Sequence, residues 1–251
     1  MNTKEVGAAL KENSFLWRYF DFQKFLSLAI EQSIFFSRMD KMEDANEGIS
    51  IHQLFSKFGT AEEKELVATI NKKSARTELP LSIRQQKYFL SCWLIHHRES
   101  VAMWNAYSDE NGIAIKVNAA ELIENILTKS KLIAHQEMIQ KLYYGKVDYK
   151  DFFDKKQREN FKNEIKIIGF QKDVCFKHEY EYRFLIKENV HKYGKEDIPF
   201  LKLKLIDFKQ IPFELIFHPK MENWKKDNIR AVIKSLKLTN FSCKDSELLL
   251  K

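Results

Sequence analysis

The run His178-Glu179-Tyr180-Glu181-Tyr182-Arg183 is where residue types and spacing in this chain could do chemistry. It lies in Phe176–Lys187 (FKHEYEYRFLIK), whose aromatic content and trailing Phe184, Leu185 and Ile186 predict a strand. Alternate side chains of a strand share a face, so Glu179, Glu181 and Arg183 point one way and His178, Tyr180 and Tyr182 the other. Two carboxylates and a guanidinium make a poor core. They suit a cleft wall, where one carboxylate binds sugar hydroxyls and another handles a proton. On an open sheet the same residues form a solvent-facing Glu–Arg ladder, and the strand alone does not choose between the two.

Elsewhere, polar groups stand in apolar settings. Arg18 sits between Trp17 and Tyr19 in an aromatic strand, where its charge is paired, binds an anion, or snorkels to water. Ser91 follows Tyr88-Phe89-Leu90 and is a hydroxyl for a ligand or a nearby backbone group. Trp104 and Tyr107 offer rings that stack on a flat base or simply fill a core. Asp44, Asn46 and Glu47 share a loop acidic enough to attract a cation, although the spacing falls far short of a calcium loop; they equally suit a helix cap.

The elements that must position these residues follow from periodicity. Strands are predicted at Phe15–Phe20, Ser33–Arg38, Tyr88–Ile95 and Ile113–Val117, within Met138–Val147 and ending at Gly145, and at Phe200–Ile206 and Phe213–Phe217. Lys237–Phe241 adds an edge strand. Helices are predicted at Phe22–Gln32 behind an Asp21 cap, and at Ile49–Phe58, Thr60–Arg76, Glu99–Tyr107, Ala119–Leu127 and Trp224–Ser235. A charged helix is expected over Tyr149–Asn163 and on toward Gly169. Asp109–Gly112 is a turn. The mixture reads as an α+β class with a mostly antiparallel, split β-sheet core and flanking helices. With 251 residues, 44% hydrophobic content, few Gly or Pro and no linker, the chain is expected to form one domain over 1–251.

The net charge of +7 comes entirely from residues 129–251, the first 128 being slightly acidic. A basic half attracts phosphates, in a dinucleotide or a nucleic acid. Three scattered cysteines give no disulfide framework, no start resembles a secretory signal, and no apolar run approaches membrane-span length, so a cytoplasmic protein without membrane attachment is expected. Glycine-rich dinucleotide and phosphate loops are missing, as is a nucleophile elbow. His96 and His97 near Cys92 do not make a metal constellation, and no metal is expected.

Trp17-Arg18-Tyr19, Ile34–Arg38, Glu43–Gly48, Ser91-Cys92-Trp93, Glu99–Ser108, Gly112–Ile115 and Lys177 with Glu179–Arg183 occur in an order that resembles the uncharacterised bacterial domain-of-unknown-function family 2971, most strongly over residues 15–190. More distantly, an arginine on a first strand, a serine on a middle strand and Glu-x-Glu on a later strand are similar to the Arg-Ser-Glu class of ADP-ribosyltransferases. That resemblance implies an ADP-ribosyltransferase-like fold and NAD as substrate. It casts Arg18 as the phosphate holder, Ser91 as the brace of the nicotinamide pocket, Glu181 as the catalytic carboxylate and Glu179 as the group that activates the acceptor. Tyr19, Trp93, Trp104 and Tyr107 would line the cofactor pocket. The usual Ser-Thr-Ser is here Ser91-Cys92-Trp93, a departure. The expected activity is cleavage of the nicotinamide–ribose bond, as a transferase to an acidic protein or nucleic-acid acceptor or as a glycohydrolase, in a toxin or phage-defence role. The resemblance further implies that Glu181→Gln abolishes NAD turnover and leaves the fold intact. The alternative is a non-catalytic nucleotide- or nucleic-acid-binding module.

Overall fold

The near-continuous apolar run Tyr88–Ile95 is a strand buried on both faces, and the rest of the sheet is arranged around it. A computed structural model describes residues 2–73, 80–133, 139–158, 168–188 and 198–249. In chain order the elements begin with β1 (Thr3–Val6), β2 (Phe15–Phe20), α1 (Phe22–Glu31), β3 (Ser33–Arg38), α2 (Ile51–Phe58), α3 (Ala61–Lys73) and α4 (Leu81–Gln85). The middle holds β4 (Tyr88–Ile95), α5 (Val101–Tyr107), β5 (Ile113–Asn118), α6 (Ala119–Thr128), β6 (Ser130–Leu132), β7 (Ile139–Lys146), β8 (Asp148–Lys150) and β9 (Gln171–Asp173). The chain closes with β10 (Glu181–Glu188), β11 (Phe200–Leu205), β12 (Phe213–Phe217), α7 (Asn223–Ser235) and β13 (Phe241–Lys244). Parts of the predicted elements at 74–76, 138 and 159–163 lie outside the described residues.

The main sheet runs β1-β7-β10-β4-β2-β5-β12-β13. Its pairings are antiparallel except β1 with β7 and β12 with β13. In place of the expected split core, the described strands other than β8 and β9 form one 11-stranded sheet that forks at one edge of β4. Leu94 and Ile95 pair with β2, while Phe89 and Leu90 pair with β3. Beyond the fork, β3, β11 and β6 form an antiparallel wing.

Helices cover one face of the sheet. Phe25, Leu28 and Ala29 of α1, Leu122 and Ile126 of α6, and Ile229 and Ile233 of α7 join Leu16, Phe20, Phe89, Trp93, Ile115, Tyr182 and Phe184 in the principal core. Local signals explain the helices. Asp21 accepts a hydrogen bond from Lys24 N (2.8 Å) to open α1, Ser50 and Gln53 form a capping box on α2, and the Asn118 side chain caps α6.

The other face carries α5 and a second core of Trp17, Tyr19, Leu94, Met103, Trp104, Ala114 and Ile216. Trp104 is fully buried there. Its ring meets Tyr19 edge-on at 4.8 Å and His218 at 5.0 Å, and its Nε1 donates to Glu99 Oε2 (3.0 Å). The Tyr19 hydroxyl accepts from Ser100 N (2.9 Å). These two rings, expected to bind a cofactor, are instead packed against neighbouring side chains with their polar atoms satisfied. Trp104→Ala should therefore cost about 3–5 kcal/mol of stability, read by urea denaturation. A loss no larger than that of a surface substitution would contradict this placement.

Candidate functional site

Strand register separates the residues that the sequence pattern groups together. Leu94 of β4 is opposite both Trp17 of β2 and Glu181 of β10, so these three side chains share a face. Arg18, one residue after Trp17, points to the opposite face. Arg18 and Glu181 thus lie on opposite faces of one sheet, with β4 between their strands.

Arg18 fills the fork. One terminal nitrogen donates to Ser91 Oγ (2.8 Å) and the other to the Phe35 carbonyl (3.2 Å). Its guanidinium lies over the rings of Phe20 (5.4 Å) and Trp93 (5.5 Å). Trp93 is buried and donates from Nε1 to the same Ser91 oxygen (3.2 Å). Burial lowers the Arg18 pKa to about 10. Arg18, Ser91 and Trp93 therefore form one contact group that joins β2, β4 and β3, and it does not include either glutamate.

The glutamates meet other partners. Only Glu181 starts a strand. Val174–Glu179 is a 3-10 turn capped by Asp173, and Tyr180 ends it in the left-handed conformation (φ 38°). That turn, rather than strand alternation, brings Glu179 beside Glu181. Both carboxylates hold the ammonium of Lys172 on β9, through Glu179 Oε2 and through Glu181 Oε1 (2.9 Å).

Arg183 has no solvent exposure, and each of its five N–H groups has a partner. Nε donates to Glu181 Oε2 (2.5 Å) and Nη2 to Glu181 Oε1 (3.0 Å). Nη1 and Nη2 donate to the two Glu47 oxygens (2.6 and 2.8 Å), and Nη1 also donates to the Gly169 carbonyl (2.7 Å). Glu47 comes from the loop expected to cap a helix or bind a cation. There, Asp44 Oδ1 accepts from Asn46 N (2.8 Å) to set the turn, and Gly48 at φ +70° packs where a Cβ would meet Met39 Sδ at 2.3 Å. Among the described residues no group of His, Cys, Asp and Glu is placed to hold a metal.

Two tyrosines complete the cluster. Tyr107 Oη donates to Glu179 Oε1 (2.8 Å), and Tyr149 Oη accepts from Glu181 N (2.9 Å). Burial and the adjacent carboxylates raise both phenol pKa values, so both remain protonated. Glu179 is itself buried, as is Glu181, and the tyrosines next to it, Tyr107 and Tyr180, are 41% and 49% exposed.

The two carboxyls titrate in opposite directions. Burial, the hydrogen bond with Glu181 and the Glu181 charge push Glu179 up to about 7. Burial alone would raise Glu181 too, but Arg183, the hydrogen bonds from Glu179 and Arg183, and Lys172 hold it well below the usual carboxylate range. Burial raises the Glu47 pKa as well, against the charge and hydrogen bonds of Arg183. With Glu179 protonated and Glu47 ionised, two carboxylates face two cations and the cluster is neutral. The arrangement can thus supply one proton-exchanging carboxyl on a rigid ionic base.

Residues 103–184 match the model of a family described as Protein of unknown function (DUF2971). The match takes in Tyr107, Tyr149, Lys172, Glu179, Glu181 and Arg183, and leaves Arg18, Glu47 and Ser91 outside. It supports the resemblance to that family over a shorter stretch than 15–190 and brings no chemistry with it. No curated protein and no solved structure matches the chain. No helix among the described residues is long and apolar enough to cross a membrane.

Lys172 does not stand out in the sequence. The available signal is charge: a buried Glu179, Glu181 and Glu47 need more than Arg183 to compensate them. The expectation that Glu181→Gln leaves the fold intact also changes, because the substitution strips a fully buried guanidinium of a bidentate partner. Glu181→Gln and Glu47→Gln should each cost about 3–5 kcal/mol, whereas Glu31→Gln, which breaks the more exposed pair with Lys202 (2.6 Å), should cost under about 1 kcal/mol. Equal losses across the three variants in urea melts would contradict the buried cluster.

Proposed function

We propose that the chain is an acid–base enzyme that cleaves a glycosidic bond, with Glu179 as its proton-exchanging group and the nicotinamide–ribose bond of NAD as its substrate class. The observation that carries this reading is a pair of carboxyls on one ammonium, Lys172, of which Glu181 is also gripped by Arg183 while Glu179 is not; that asymmetry pushes Glu179 up to about 7 and holds Glu181 well down. A general base works best with a pKa near the operating pH.

The number of titrating groups favours an N-glycoside such as NAD. Nicotinamide carries its positive charge before the bond breaks and leaves neutral, so the leaving group needs no proton. One proton is lost, from the water or hydroxyl that attacks the ribose carbon, and one carboxylate can accept it. An ordinary O-glycoside needs a second carboxyl to protonate its leaving oxygen, set apart across the scissile bond. Here the second carboxylate is held by Lys172 and Arg183 behind the first.

This reading redistributes the expected roles. Glu179 keeps the role of activating the acceptor. Glu181 becomes a positioning residue, which holds Lys172 and through its charge keeps Glu179 protonated up to neutral pH. Arg18 and Ser91 are outside the site. Tyr107 orients Glu179 and offers an exposed ring beside it.

Incubation of the purified protein with NAD in water should release nicotinamide. The rate should rise with pH until Glu179 is ionised near 7 and then level off. Glu179→Gln should lower it by about 10²–10⁴-fold, while Arg18→Lys leaves the KM for NAD unchanged. The proposal fails if the wild type releases no nicotinamide, or if the Glu179→Gln protein releases it equally fast.

The proton balance also fixes a stability trend. The folded-state pKa of Glu179 lies above its unfolded value of about 4.3, so between these values the folded state binds more proton. Stability from this group therefore falls as pH rises from about 4.3 to about 7 and is flat above. The difference in Tm between wild type and Glu179→Gln should follow that slope. A difference independent of pH across the window would contradict the raised pKa.

A further inference from the structure

The wing beyond the fork has one face in the core and one in solvent. Ile34, Phe36, Leu132, Leu201, Leu203 and Leu205 belong to the principal core. Strand alternation turns Phe35, Phe200, Lys202, Lys204 and Lys131 to the opposite face. There no helix among the described residues pairs them with a core, and the residues present are unusual for an open sheet.

Phe35 and Phe200 are each 40% exposed, and their rings are stacked at 4.8 Å with planes 28° apart. Lys202 is directly opposite Phe35 in the register, and its ammonium lies 5.7 Å from the Phe200 ring while it pairs with Glu31. Lys204 is directly opposite Lys131 on β6, and both are exposed. Neither has a carboxylate partner among the described residues. Like charges directly opposite each other across a strand pair cost stability. Lysine on an edge strand guards against aggregation, which accounts for Lys131. It does not account for Lys204 on the central strand of the wing, nor for two exposed aromatic rings beside it.

We propose that this face binds single-stranded nucleic acid. Bases carry flat π surfaces that stack on Phe35 and Phe200, and the phosphates between them meet Lys131 and Lys204, the two cations of this face that no carboxylate among the described residues neutralises. Open sheets with exposed aromatic residues and flanking cations bind unpaired strands in this way, largely without sequence preference. A duplex hides its base faces and offers only phosphates, so this platform favours single strands. The proposal is independent of the glycosidic reading, because it uses none of the residues of the Glu179 cluster.

Fluorescence anisotropy of a labelled oligothymidylate of about ten nucleotides, titrated with the full chain, tests it. Saturable binding is expected at low salt, weakening linearly in log–log form as salt rises. Phe35→Ala and Phe200→Ala should each weaken binding about ten-fold. Lys131→Gln with Lys204→Gln should flatten the salt slope by about 0.7 for each phosphate that is no longer neutralised. Phe35→Leu keeps apolar volume without the flat ring, and should weaken binding as well if the alanine variant folds poorly. The proposal is overturned by no saturable binding, by binding that the phenylalanine substitutions leave unchanged, or by a duplex of the same length binding as tightly.

Discussion

A guanidinium with no access to water must find a partner for every N–H it carries, and Arg183 meets that demand in full. Glu47 and Glu181 each grip it with two oxygens, and the Gly169 carbonyl takes the remaining donor. Removing two such ions from water costs several kcal/mol apiece, which only good geometry offsets. The contacts therefore fix where the loop at Glu47, the segment at Gly169 and the start of β10 sit relative to one another. They also leave a charge imbalance: Lys172 offsets one further carboxylate, and the last acid, Glu179, relieves the remainder by keeping its proton to about neutral pH. The reactivity attributed to Glu179 is thus a consequence of the packing around Arg183.

The fork in the sheet depends on a second arginine under a different constraint. Where β4 changes partner from β2 to β3, Arg18 reaches across to Ser91 and to the Phe35 carbonyl, both neutral acceptors. Its charge is desolvated without being compensated by an acid among those contacts, and its pKa falls accordingly. A single residue of strand register separates this arginine from the acids on the other face. The order Arg–Ser–Glu along the chain is therefore compatible with two unrelated local sites, and the resemblance built on that order loses its arginine and its serine.

Periodicity made most of the scaffold legible. Phe15–Phe20, Ser33–Arg38 and Tyr88–Ile95 are strands as read, and Asp21 caps α1 as expected. The alternation signal failed where a single backbone conformation intervened. Tyr180 in the left-handed region converts the first half of FKHEYEYRFLIK into a 3-10 turn, and nothing in the residue type announces it, since glycine or asparagine is usual there. The terminal strand is Phe241–Lys244 rather than Lys237–Phe241, because Lys237 follows α7 at φ 52° and the chain reaches the sheet only afterwards. β1 pairs in parallel with β7 across about 140 residues of sequence, which no local pattern reports. The site was half legible for the same reason. Glu179, Glu181, Arg183 and Tyr107 stand out by type, whereas Lys172 and the inward turn of Glu47 depend on distant segments meeting.

The most direct test of this account is a carboxyl titration that needs no substrate. In protein labelled with ¹³C at the glutamate carboxyls, one resonance, missing from Glu179→Gln, should titrate near 7, and another should stay ionised well below the usual range. If every glutamate resonance titrates within the ordinary carboxylate range, the buried cluster does not control Glu179 and the central claim is wrong.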